Sequence, residues 1–145
     1  MDHILIKRKT ILLMKVILDT NIFLVPEKFK VDIFEEFDRL IDEKYDLITI
    51  EPVVKELKKL SMGNSRDARA ARFGLKFLEA KSIKVTKTKE DTADKAIVSL
   101  SENFLRKSEE CAVATLDKEL KRKLKKIGVK VIYLRNKKYL AIGEI

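Results

Sequence analysis

Histidine and cysteine, the residues behind much acid/base and nucleophilic catalysis, are almost missing: the 145-residue chain has one of each, His3 and Cys111. His3 lies near the start with no partner in view, which argues against catalysis through a histidine. A lone cysteine cannot close an internal disulfide and fits a reducing cytoplasm. Within Cys111-Ala-Val-Ala-Thr115 it reads as a core thiol, not a nucleophile. Glycine and proline are also scarce, at 4 and 2 residues, while apolar and charged residues are both abundant, at 46% and 38%. That balance excludes a disordered chain and predicts a helix-rich globule. No apolar run is long enough to cross a bilayer, so no membrane partner is expected. Residues 1–13 contain basic residues ahead of Ile11-Leu12-Leu13-Met14, but Lys15 interrupts that run and no small-residue cleavage site follows. A signal peptide is therefore not expected. Met14 can itself serve as a start. Residues 1–13 are then an extension outside the core, and residues 14–145 are expected to form one domain.

What the chain does have is positive charge, unevenly placed. The formal net charge is +9. Residues 118–138 contain ten Lys or Arg and one acid, Glu119, whereas acids outnumber bases over 21–51. A one-sided basic segment attracts polyanions by neutralising phosphates and releasing counterions, so nucleic acid is the expected partner.

Apolar β-branched runs alternate with amphipathic stretches along the chain. Strands are expected at 13–19, 47–50, 83–85, 112–115 and 129–134. Helices are expected at 30–44, 53–60, 66–80, after Asp91 or Thr92, and at 118–127. Pro52 suits a first helical turn, and Gly128 suits the residue after a helix end. Residues 137–142 are expected as an edge strand or an irregular cover. Strands alternating with helices predict an α/β domain: a three-layer α/β/α sandwich with a mainly parallel central sheet.

In such sheets, ligands bind beyond the carboxyl ends of the strands. Asp19 ends the first strand, in Lys15-Val-Ile-Leu-Asp19-Thr-Asn21. Asp117 follows the fourth strand, Asp94 lies near the start of the helix after the third, and Glu56 is on the first helix after the second. Taken singly, each aspartate also fits a helix cap or a turn, and Glu56 an exposed helix position. Gathered on one sheet edge they would repel one another unless a cation neutralised them. Mg²⁺ or Mn²⁺, hard ions that prefer carboxylate and water oxygens, suit that task, and the chemistry that follows is phosphodiester hydrolysis.

These segments resemble the four acidic motifs of PIN-domain nucleases. They are Lys15-Val-Ile-Leu-Asp-Thr-Asn21, Glu56 in Val-Val-Lys-Glu-Leu, Asp94 in Ala-Asp-Lys-Ala-Ile, and Thr115-Leu-Asp-Lys-Glu-Leu120. The likeness covers roughly residues 14 to 134, in the family's order. It implies a metal-dependent endoribonuclease acting on single-stranded or structured RNA, of toxin–antitoxin or ribosomal-RNA-processing type. By position, Asp19, Glu56, Asp94 and Asp117 would hold Mg²⁺ or Mn²⁺ and activate water. Asn21 and Thr115 would hydrogen-bond those acids and orient them, and Glu119 would be a peripheral acid. The resemblance also admits a homodimer and, for a toxin, an antitoxin peptide as partners. One position departs from the family: where many members place a second acid directly after the third, this chain has Lys95. Asp91, one helical turn earlier, competes with Asp94 for the third place.

Two other functions compete. One is an RNA-binding scaffold of the same fold that does not cut, supported by Lys95 and the basic 118–138 segment. The other is an Asp-dependent phosphoryl-transfer or receiver domain. Asn21 counts against it, because such phosphatases usually place a second acid two residues after the first. The basic Arg135-Asn-Lys-Lys138 stretch leans towards stable-RNA processing over a toxin.

Overall fold

The computed structural model describes residues 13–143, so His3 and all but the last residue of the expected extension lie outside it. Six strands form one sheet: β1 (Met14–Leu18), β2 (Tyr45–Ile50), β3 (Lys84–Thr86), β4 (Cys111–Ala114), β5 (Lys130–Arg135) and β6 (Tyr139–Gly143). Their spatial order is β3-β2-β1-β4-β5-β6. The first five are parallel, and β6 pairs antiparallel with β5 at the edge. The expected α/β class with a mainly parallel sheet is therefore present. The contiguous apolar runs arise because central strands of such a sheet are covered on both faces: Val16, Ile17, Leu18, Ala112, Val113 and Ala114 are fully buried.

Helices connect the parallel strands. After β1 come a 3-10 turn (Thr20–Leu24), α1 (Val25–Phe29) and α2 (Ile33–Leu40). Helices α3 (Glu51–Leu60) and α4 (Arg66–Ala80) link β2 to β3, α5 (Ala93–Arg106) links β3 to β4, and α6 (Lys118–Lys126) links β4 to β5. The helix expected over 30–44 is shorter. Lys30 takes a left-handed conformation (φ 56°) that ends α1, Asp32 caps α2 by accepting from the Phe34 and Glu35 N–H groups, and Ile41 is extended. Thr92, not Asp91, caps α5, its Oγ1 accepting from Lys95 N at 3.3 Å. The expected edge strand over 137–142 is β6. The basic 135–138 stretch is the last residue of β5 and the hairpin turn before β6, with Asn136 and Lys137 both left-handed. No helix among the described residues is long and apolar enough to cross a membrane.

The strand order places the site. From β1 the chain winds outward to β2 and β3, then crosses back to β4 on the other side. Adjacent β1 and β4 are thus the point where the winding reverses, and in this architecture the crevice beyond their carboxyl ends takes ligands.

Candidate active site

Asp19 is the first residue past β1. Its backbone N–H donates to Ala114 O on β4 at 3.0 Å, so it is fixed at the reversal point. Thr49 Oγ1, fully buried on β2, donates to Leu18 O at 2.8 Å and ties the preceding residue to the neighbouring strand. The Asp19 carboxylate is itself buried. Oδ1 accepts from Thr20 N at 2.8 Å and Oδ2 from Thr115 Oγ1 at 2.6 Å. Burial pushes the Asp19 carboxyl above its ordinary range. The hydrogen bonds from Thr115 and Thr20 oppose this, and the charges of Glu56 and Asp117 add to it.

The same Thr115 hydroxyl accepts from Asp117 N at 3.0 Å and so links two acids. Asp117 caps α6, its Oδ1 accepting from Glu119 N and Leu120 N. Asn21 Oδ1 accepts from Leu116 N at 3.0 Å. The bond Asn21 makes is therefore to the backbone of the β4–α6 loop and not to an acid: it pins the loop that carries Asp117.

Asp19, Glu56, Asp94 and Asp117 line one cavity of about 360 Å³, together with Thr20, Asn21, Leu24, Leu60, Thr92 and Ala93. Asp94 faces this cavity, and Asp91 is absent from its lining. Glu119 does not line it either and is exposed on the first turn of α6. Thr20 was not foreseen from the sequence. It is 6% exposed, it lines the cavity, and its Oγ1 has no hydrogen-bond partner among the described residues. A buried hydroxyl left unpaired costs free energy. The only signal in the sequence is its place between Asp19 and Asn21.

Carboxylates that repel one another around a shared space suit a hard cation. Among the described residues no three acids stand close enough to grip one ion together. Asp94, moreover, is already paired, accepting from Lys123 Nζ at 2.7 Å.

A second, basic hollow of about 350 Å³ opens along α6. It is lined by Lys118, Lys121, Arg122 and Lys125 above Val129, Val131 and Gly143. The four cations recur at helical spacing on one face, opposite buried Leu120 and Leu124. Burial, with Lys118 adding, holds Lys121 below the ordinary lysine range, and its ammonium lies 5.1 Å from the centre of the Tyr133 ring.

Residues 16–137 match the family model described as a PIN like domain. The chain belongs to that family. Relatives include ribonuclease VapC4 of Methanocaldococcus jannaschii, 31% identical over 131 residues that make up 88% of this chain and 95% of the relative. Ribonuclease VapC9 of Archaeoglobus fulgidus is 34% identical over 84% of each chain. Among solved structures, the PIN domain endonuclease Utp24 superposes with a TM-score of 0.69 at 26% identity, covering 90% of this PIN domain and 92% of that chain.

Proposed function

We propose that this chain is a Mg²⁺- or Mn²⁺-dependent endoribonuclease that hydrolyses phosphodiester bonds in RNA. The observation that carries the reading is the convergence of Asp19, Glu56, Asp94 and Asp117 on one cavity at the reversal point of the sheet. The relatives named as ribonucleases support RNA as the substrate.

In this reading Asp19, Glu56, Asp94 and Asp117 would hold the ion or ions. A bound divalent cation supplies Lewis acidity towards a phosphate oxygen and a more acidic water. The chain's own residues do the rest. Thr115 fixes the Asp19 carboxylate through Oδ2 and holds Asp117 in register through its backbone N–H. Asn21 keeps the loop between them closed on the site. The Lys118, Lys121, Arg122 and Lys125 face of α6, which starts directly after Asp117, offers neighbouring phosphates a path away from the acids.

The basic hairpin at 135–138 adds exposed cations and leans the role towards processing of stable RNA over toxin-type cleavage. A non-cleaving RNA-binding scaffold is the second reading. It is favoured by the Lys123–Asp94 ion pair, which neutralises one of the four acids.

Replacing Asp117 by Asn tests the reading. Single-turnover cleavage of a synthetic single-stranded RNA with Mn²⁺ should fall at least about 10²-fold, the scale of losing a main electrostatic contributor to the transition state. Affinity for the RNA measured without divalent ions should stay within about threefold, since an acid by itself contributes no attraction to phosphate. Equal cleavage by the variant and the wild type would contradict it.

A further inference from the structure

Helix α6 sends its cations in two directions. Lys118, Lys121, Arg122 and Lys125 line the basic hollow. Lys123 leaves that stripe and reaches α5, where its Nζ donates to Asp94 Oδ2 at 2.7 Å. The two residues are 29 positions apart, so the pair depends on how the helices pack.

Asp94 lies between two hollows. On one side is the cavity it shares with Asp19, Glu56 and Asp117. On the other is a smaller hollow lined by Glu90, Lys95, Glu102 and Lys123, among others. Lys123 therefore places its ammonium on a carboxylate that also faces the acid cavity. The other aspartates there are held differently. Asp19 takes a hydroxyl and a backbone amide, and Asp117 takes two backbone amides. Those neutral donors orient a carboxylate but leave its charge in place, whereas an ammonium cancels it.

We propose that Lys123 is a built-in counter-ion that competes with a divalent cation for Asp94. This deepens the nuclease reading and rests on it: Lys123 is a positioning residue, and Asp94 contributes to cation binding only where the ammonium is displaced. Both side chains are partly exposed, at 54% and 35%, so the competition has the modest strength of a solvent-accessible ion pair.

Mn²⁺ titrations monitored by the electron paramagnetic resonance of the free ion test this on the full chain. The proteins compared are the wild type, Lys123→Gln, Lys123→Arg, Lys95→Gln, Asp19→Asn, Asp94→Asn and the Asp94→Asn/Lys123→Gln double variant, each checked for folding by thermal melt. Lys123→Gln should bind Mn²⁺ about two- to fivefold more tightly, the range set by an exposed ion pair. Lys123→Arg should follow the wild type. In the Asp94→Asn background, Lys123→Gln should change nothing.

A general loss of positive charge would instead tighten binding in both backgrounds, and Lys95→Gln would do so equally. Either result overturns the specific pairing. Identical affinities for wild type and Lys123→Gln, with binding still lost in Asp19→Asn, overturn the role of Lys123 and leave the nuclease reading standing. Absence of Mn²⁺ binding in every protein overturns both.

Discussion

The hydroxyl of Thr115 sits between two acids, donating to the Asp19 carboxylate and accepting from the Asp117 backbone. Fully buried, it has no freedom to serve one without the other. The acid at the end of β1 and the acid at the start of α6 are therefore positioned as a unit. A few residues before it, Cys111 shows the contrasting fate of a reactive residue type that the fold has silenced. Its thiol is buried, and burial, opposed by contact with Ser101, pushes its pKa up to about 11. At neutral pH it carries on the order of a hundredfold less thiolate than an ordinary cysteine. Native protein should react with Ellman's reagent at least about 100-fold more slowly than protein unfolded in guanidinium, and a fast native reaction would show the thiol to be accessible.

Among the elements, the 3-10 turn after β1 matters most to the site, because it carries Thr20 and Asn21. Helix α4 packs against it, and Gly74 lies close to it: a Cβ there would stand 3.0 Å from both Phe23 Cβ and Phe23 O. Phe23 is fully buried and has no room to yield. An alanine in a helix normally stabilises relative to glycine by about 1 kcal/mol. Here Gly74→Ala should instead destabilise, by roughly 1–3 kcal/mol, as overpacked cores do; urea denaturation reads the sign directly.

The edge strand is held by a different device. Glu36 Oε1 on α2 accepts from Leu140 N at 2.8 Å, and Arg39 Nη2 donates to Leu140 O at 2.7 Å. The Arg39 side chain, chiefly by hydrogen bonding, holds the Glu36 carboxyl below its ordinary 4.5. Since its folded pKa lies below its unfolded one, the unfolded chain binds more protons between the two. The stabilisation is complete above about 4.5 and is lost as pH falls through the folded value. The Leu140 amide resonance should titrate below that point in an NMR series, and Glu36→Gln should remove the titration.

These elements also mark how far the sequence could be read. The parallel strands and their terminal acids were legible because a strand covered on both faces needs an unbroken apolar run, and a carboxylate ends it visibly. The 3-10 turn and α1 were not, because residues 22–25 are all apolar and all buried, leaving no period to follow. Gly128 announced the end of α6, where Val129 N returns to Leu124 O. Ser82 and Ser108 end α4 and α5 in the same left-handed way without a glycine to signal it. The pairing of Lys123 with Asp94 had no local signal at all, since it depends on two helices meeting.

At the scale of the whole molecule, the acids and the cations are organised around the same short connection. Strand β4 ends beside β1, Asp117 lines the acid cavity with Thr115 bonded behind it, and α6 begins there with its basic face. The acids gather at the reversal point of the sheet, and the basic face of α6 leads away from them towards Val129 and Val131; that arrangement is the basis for proposing that this PIN domain is a ribonuclease. The most direct test maps new 5′ ends in total RNA treated with Mn²⁺ and either wild-type protein or Asp19→Asn. Discrete ends that require both Mn²⁺ and Asp19 are the predicted result, and their positions name the substrate. The same ends produced by a contaminant-free Asp19→Asn preparation, or none produced by the wild type, would contradict it.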